Sequence, residues 1–233
     1  MNELKELREI AVYFENEIAN KVYEINIKTS IVKLYITPAN FPHLIGLHKY
    51  YSKNSDNPFL RNKDNLKNFT GFLNIKKGRI RLEDLNKKTF KKSGNRITEI
   101  EKISLLLKKF DMFTFEKSKA NSKIDAEFIL SKKMKCNEYI HLFIKENKGK
   151  YYPISFILRD DDKYIKGQVR VEVLSIKEFE YKQYEEILKN KEIIKISVRD
   201  KLKNIKEKRI EESNKQNIEL NIKVKDKDKE KVR

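Results

Sequence analysis

The sequence predicts an α+β fold with a charged C-terminal tail, and three observations carry that expectation. Residues 3–20 place Leu4, Leu7, Ala11, Phe14 and Ile18 at three- and four-residue intervals, the spacing of an amphipathic helix. The stretch from Phe113 to Leu174 breaks into short β-branched and aromatic runs separated by turn residues, which reads as antiparallel sheet. Beyond about residue 200 the chain holds twelve basic and seven acidic residues with no aromatic, too little apolar surface to offset the entropy of ordering.

In chain order, Val22–Ile27 and Ile31–Ile36 flank Lys28-Thr29-Ser30 and predict a hairpin after the first helix. Pro38 and Pro42 bracket the next segment, Pro42 suiting the first turn of a helix capped by Asn40. Residues 53–96 are dominated by polar and basic side chains and read as a basic insertion. Ile97, Ile100, Ile103, Leu107 and Phe110 return to helical spacing. Phe113–Phe115, Ala126–Leu130 and Val169–Leu174 predict strands. Tyr139–Ile144 and Tyr151–Leu158 around Glu146-Asn147-Lys148-Gly149 predict a second hairpin. Ile176–Leu188 reads as a helix. The expected arrangement is one domain over residues 1–195 and a helical or disordered tail over 196–233, with residues 201–233 dispensable for the core.

Composition narrows the function. Of 233 residues 53 are Lys or Arg and 35 are Asp or Glu, a net charge of +18 that fits a phosphate-bearing partner. Half of that excess lies between Arg61 and Arg96, where twelve cations face three acids. Lys76, Lys77, Arg79, Arg81, Lys87, Lys88, Lys91 and Lys92 are the candidate nucleic-acid-binding residues, interleaved with Phe69, Phe72 and Phe90 as candidate stacking platforms. The competing reading puts those rings in the core and the cations on a solvated rim. A single cysteine, Cys136, excludes an internal disulfide framework and reads as an ordinary loop or edge thiol. The first residues lack a basic start followed by an apolar stretch, and no apolar run reaches membrane-spanning length, so a cytoplasmic protein with no membrane partner is expected. No metal-ligand spacing and no phosphate-binding glycine loop is present, so no cofactor is expected.

Two of the three histidines, His43 and His48, fall in Asn40-Phe41-Pro42-His43-Leu44-Ile45-Gly46-Leu47-His48. Histidine is the side chain best suited to proton transfer near neutral pH. The third, His141, alternates with Ile140 and Leu142, and reads equally as a surface residue or a second catalytic group.

The His-Leu-x-Gly-Leu core of that segment, with Tyr139-Ile140-His141-Leu142-Phe143-Ile144, Tyr152-Pro153-Ile154-Ser155-Phe156, Asp161-Asp162-Lys163-Tyr164 and Gln168, resembles the phage-type branch of the barnase–EndoU–colicin–RelE superfamily, in its fourth group. The resemblance runs from about Glu15 to Ile176. It implies N-terminal helices on a twisted antiparallel sheet and a metal-independent endoribonuclease, such as a toxin of a phage or mobile element. It aligns His43 with the motif histidine and Ser155 with a hydroxyl position. Arg159 shares a strand face with Ser155 by period-two spacing and is a candidate phosphate clamp, though no motif position gives it that role. His48 matches no motif position and reads as solvent-facing; Lys163 and Tyr164 read as turn residues or substrate contacts. The expected partners are RNA or a ribonucleoprotein complex, and an antitoxin or defence-system protein. The alternative is a non-enzymatic inhibitor that binds nucleic acid or a ribonucleoprotein on the same fold.

Overall fold

A computed structural model describes residues 6–135 and 137–189, and the chain divides into two compact units, 1–182 and 183–233. The predicted tail and Cys136 lie outside the described residues.

The first unit is α+β, as predicted. Helix α1 (Leu7–Tyr13) starts at a capping box between Glu6 and Glu9, then continues as a π-helical turn over Phe14–Ile18. Strands β1 (Lys21–Ile27) and β2 (Ser30–Ile36) form the first hairpin. Four short helices follow: α2 (Phe41–Leu44), α3 (Asn68–Lys76), α4 (Lys87–Ser93) and α5 (Asn95–Thr98). Helix α6 (Lys102–Lys108) leads into β3 (Asp111–Thr114) and β4 (Phe128–Lys133). Strands β5 (Tyr139–Asn147) and β6 (Lys150–Arg159) form the second hairpin. Its two-residue turn, Lys148-Gly149, has positive φ at both positions (52° and 77°), which matches the right-handed twist of the strands. Strands β7 (Arg170–Val171) and β8 (Val173–Glu180) close the unit.

All eight strands join one sheet in the order β7-β3-β4-β5-β6-β2-β1-β8. Every pairing is antiparallel except the β2–β6 seam, a parallel contact at Leu34 and Tyr151 that curls two antiparallel ladders into one mixed sheet. The predicted helix over Ile176–Leu188 is therefore wrong in its first part: Ile176–Glu180 is strand, and helix begins at residue 181. The unpaired edge of β1 decides this, taking β8 as its partner with Lys21 ion-paired to Glu178 at 2.8 Å. The predicted helix from Ile97 is likewise two helices, parted by a three-residue turn bonded from Lys102 N–H to the Glu99 carbonyl and from Ile103 N–H to the Ile100 carbonyl.

The main core lies between the helices and one face of the sheet, around Phe14, Phe41, Phe72, Leu142 and Phe156. The opposite face of β4, β5 and β6 carries a smaller core, in which Phe115, Ile129, Phe143 and Ile157 are covered by Tyr164 and Ile165. Residues 53–96 are part of the domain's packing: Leu60, Leu66, Phe72, Ile75, Ile80 and Leu85 are all buried in the main core. Among the described residues no helix is long and apolar enough to cross a membrane.

Candidate functional site

Pro42 occupies the first turn of α2, as its fixed φ allows. Asn40 precedes it, but the Asn40 side chain accepts from the Thr37 N–H at 2.7 Å and so holds the turn before the helix. Helix α2 stops at Leu44, and Gly46 takes a left-handed conformation (φ 71°). A 3₁₀ turn over Leu47–Tyr50 then reverses the chain. On a continuous α-helix two residues five apart point about 140° from each other. The break at Gly46 instead brings His48 back over His43, ring centroids 5.4 Å apart and 24° from parallel.

Both residues reach solvent, while neighbouring protein crowds part of each ring. His43 also borders the sheet. Strand β6 has a bulge at Ile154, because Phe143 pairs with Ser155 while Ile144 pairs with Pro153. The Ile154 backbone lies beside the His43 imidazole and favours its protonated form. Burial by the surrounding protein outweighs that effect, and with the charge of Arg96 it holds His43 below the usual histidine range. His48 is depressed by burial, by His43, and by Lys49 and Arg96. At neutral pH the neutral form predominates for both imidazoles, and the protonated fraction of each grows as the pH falls below 6.5.

The cations beside them lack counter-charges. Arg96, half-buried on α5, sits near the Tyr50 and Tyr164 hydroxyls, and burial lowers its pKa. Lys49 is lowered by burial and by Arg96. Neither forms an ion pair with a carboxylate among the described residues. A cavity of about 360 Å³ lies alongside, lined by His43, His48, Leu66, Lys67 and Asn68. Its wall depends on Gly71 in α3, where a Cβ would come within 2.8 Å of the Leu66 backbone and 3.1 Å of Pro42 Cγ.

The other predicted residues are placed differently. Ser155, half-buried, follows the bulged Ile154 and pairs with Phe143. Arg159 lies four residues further along β6, roughly 13 Å at strand spacing. It is engaged, its Nε and an Nη each donating to an Asp161 carboxylate oxygen at 2.5 Å. That pair raises the Arg159 pKa and pulls the Asp161 carboxyl down to about 2. The guanidinium also lies 5.8 Å from the Tyr164 ring. His141 is fully buried, so the surface reading is incorrect: the smaller core covers the face expected to meet water. It stacks on Tyr139 and meets Tyr164 edge-on at 5.6 Å. Neither of its ring nitrogens has a hydrogen-bond partner. Burial, aided by Arg159, pushes its pKa down to about 4.

The basic block divides in two. Lys76 pairs with Glu15 at 2.5 Å, Arg79 lies 5.3 Å over the Phe59 ring, and Arg81 pairs with Glu83 at 3.3 Å. Lys77, Lys87, Lys88 and Lys91 are exposed and unpaired among the described residues; the Lys92 side chain is outside them. Phe72 is fully buried and Phe90 packs half-buried on the core, so neither is a stacking platform; Phe69, 51 % exposed, is the ring that reaches water.

Sequence reasoning missed Arg96, Lys49 and Tyr164 as members of one cluster. Lys49 adjoins His48, a signal that was available; Arg96 and Tyr164 arrive only through tertiary packing. Among the described residues no three His, Cys, Asp or Glu side chains gather as metal ligands.

An α+β domain that presents a neutral imidazole among uncompensated cations is built to meet an anion and to move a proton beside it. The chain matches the phage-Barnase-EndoU-ColicinE5/D-RelE like nuclease 4 family over residues 6–225, and belongs to it. That span runs beyond the Glu15–Ile176 resemblance at both ends and takes in most of the tail. No curated protein and no solved structure matches the chain.

Proposed function

We propose that this nuclease-family member is a metal-independent endoribonuclease of a phage or mobile element, working at the His43 cleft. The observation that carries the reading is the setting of His43. The residue is exposed and its pKa is held below the usual histidine range, so the neutral ring offers an acceptor nitrogen at the surface. In this reading His43 takes the proton of a ribose 2′-hydroxyl. The 2′-oxygen bonds to phosphorus, the bond to the 5′-oxygen breaks, and protonated His48 supplies the proton that the 5′-oxygen needs. The products are a 2′,3′-cyclic phosphate and a 5′-hydroxyl. Lys49 and Arg96 supply positive charge where the phosphorane gains negative charge, and the Ser155 hydroxyl donates to a phosphate oxygen. A clamp role for Arg159 requires phosphate to replace Asp161 as its partner. RNA is the substrate in this reading because the attacking group belongs to ribose.

Purified protein incubated with total RNA in EDTA tests this. Fragments ending in 2′,3′-cyclic phosphate, absent with His43→Ala, are the expected result; intact RNA under the same conditions rejects it.

Lys87, Lys88 and Lys91 of α4, exposed and unpaired among the described residues, favour a second reading, in which a cytoplasmic chain binds RNA or a ribonucleoprotein, such as a host defence complex, without cutting it. Tight binding with uncut RNA is its signature.

A further inference from the structure

We propose that the cavity beside His43 and His48, together with the exposed Phe69 that follows Asn68 in α3, is a nucleobase subsite for single-stranded RNA, in which the Asn68 carboxamide reads the edge of a base in the cavity and Phe69 stacks a base outside it. The inference takes its ligand class from the nuclease reading; the subsite itself rests on three observations.

First, the space is the right size and in the right place. Its volume of about 360 Å³ is at the small end of ligand pockets, suited to one nucleotide. It shares His43 and His48 with the proposed chemistry, so a base held there belongs to a nucleotide next to the bond being cut.

Second, Phe69 is the outer end of a ladder of rings. Phe41 meets Phe72 edge-on at 6.2 Å, and Phe72 stacks against Phe69 at 6.0 Å and 25°. Phe41 and Phe72 are fully buried, whereas Phe69 is 51 % exposed. A ring braced from behind and open in front is the arrangement on which bases stack, and stacking does not need a particular base.

Third, Asn68 lines the cavity with a carboxamide that makes no hydrogen bond among the described residues. Its backbone sits in the left-handed region (φ 47°), which asparagine tolerates better than most side chains. The amide offers a donor and an acceptor side by side, the pattern that pairs with adenine. Of the other polar wall residues, the two histidines belong to the proposed chemistry and Lys67 is ion-paired to Asp64 at 3.2 Å. Asn68 is therefore the wall residue left to choose the base.

The experiment is fluorescence anisotropy of the full chain with labelled 2′-O-methyl oligo(A) and oligo(U), which lack the attacking hydroxyl and report binding alone. Expected are tighter binding of oligo(A), a loss on the order of tenfold for both probes in Phe69→Ala, and loss of the adenine preference in Asn68→Asp, which keeps the backbone tolerance and removes the donor. Phe69→Leu keeps apolar cover over Phe72 and should lose affinity as Phe69→Ala does, so a folding defect in the latter leaves the test intact. Unchanged affinities in both Phe69 variants, equal binding of the two probes, or no binding by the wild type overturns the subsite. Cleavage of total RNA is scored in parallel. A protein that cuts RNA with unaltered binding in the variants retains the nuclease reading and loses the subsite. One that cuts nothing, yet binds through Phe69 and Asn68, does the reverse.

Discussion

The imidazole of His43 lies beside the backbone of Ile154, the residue that bulges out of β6 between Pro153 and Ser155. One extra residue in a strand thereby brings backbone that pairs with no residue of β5 beside a histidine on a short helix. The exposed position of His43 leaves its imidazole accessible for proton transfer.

The first prediction concerns that histidine. Because His43 is exposed, His43→Ala should fold normally and lose cleavage by about 10²- to 10⁴-fold, the usual worth of general acid–base catalysis. Circular dichroism and a thermal melt check the fold; end-labelled RNA checks the rate. A folded variant that cuts at the wild-type rate removes His43 from the mechanism.

The second concerns pH. A base must be neutral, so the acid limb of kcat/KM reports His43 and should fall below the ordinary histidine pKa of 6.5. An acid must be protonated, so the alkaline limb reports His48, which is also depressed. The result is a bell with its maximum on the acid side of neutrality. Arg96 lowers both histidines, and Arg96→Gln should move both limbs upward. Burial remains the larger cause for each, so the movement should stop short of the full return. Imidazole proton shifts followed by NMR give the same two values without activity.

The hairpins were legible because their turn chemistry and β-branched runs agree at a local level. β8 was not: Ile176 and Phe179 lie three apart, a helical spacing that puts them on opposite faces of a strand, and only the open edge of β1 overrides it. The same limit hid the site. His43 and its motif could be read directly, but the approach of His48 depends on Gly46 breaking the helix, and Arg96 comes from a different helix about fifty residues away. The burial of His141 depends on loops covering a sheet face that alternation alone assigns to solvent.

His141 gives the third prediction. Its folded pKa of about 4 lies below the unfolded value of 6.5, so the unfolded state takes up a proton first as the pH falls. Stability is full above pH 6.5 and declines between there and about 4, by roughly 3 kcal/mol at 1.36 kcal/mol per pKa unit. His141→Phe removes the titrating group and its two unpartnered nitrogens, so urea stability should become flatter over that window. A wild-type profile that is already flat there refutes the account.

Gly71 gives the fourth. A methyl group at this position would meet the Leu66 backbone at 2.8 Å, and backbone cannot swing away as a side chain can. Gly71→Ala should therefore cost about 1–3 kcal/mol and lower the melting temperature. The displaced Leu66 lines the cavity, so RNA binding should weaken as well. An unchanged melting temperature indicates that α3 and the turn at Leu66 are not packed this closely.

The last prediction separates recognition from scaffolding within the basic block. Lys76 and Arg81 are bound to carboxylates and Arg79 to an aromatic face, whereas Lys87, Lys88 and Lys91 project from α4 without partners among the described residues. A cation already neutralised by a carboxylate releases fewer counterions from RNA than one that is not. Replacing the three α4 lysines by Ser should therefore lower affinity for single-stranded RNA and shallow the salt slope by about 2, at roughly 0.7 per phosphate contact on single strands. The combined Lys76, Lys77, Arg79 and Arg81 to Ser variant should change the slope less, by about one contact at Lys77, and should lose some stability where Lys76 leaves Glu15 half-buried without its partner. Affinity measured across a salt series, beside a melting curve for each variant, distinguishes the two groups. If the second variant loses more of the slope than the first, recognition runs through the paired cations, and α4 serves solubility instead.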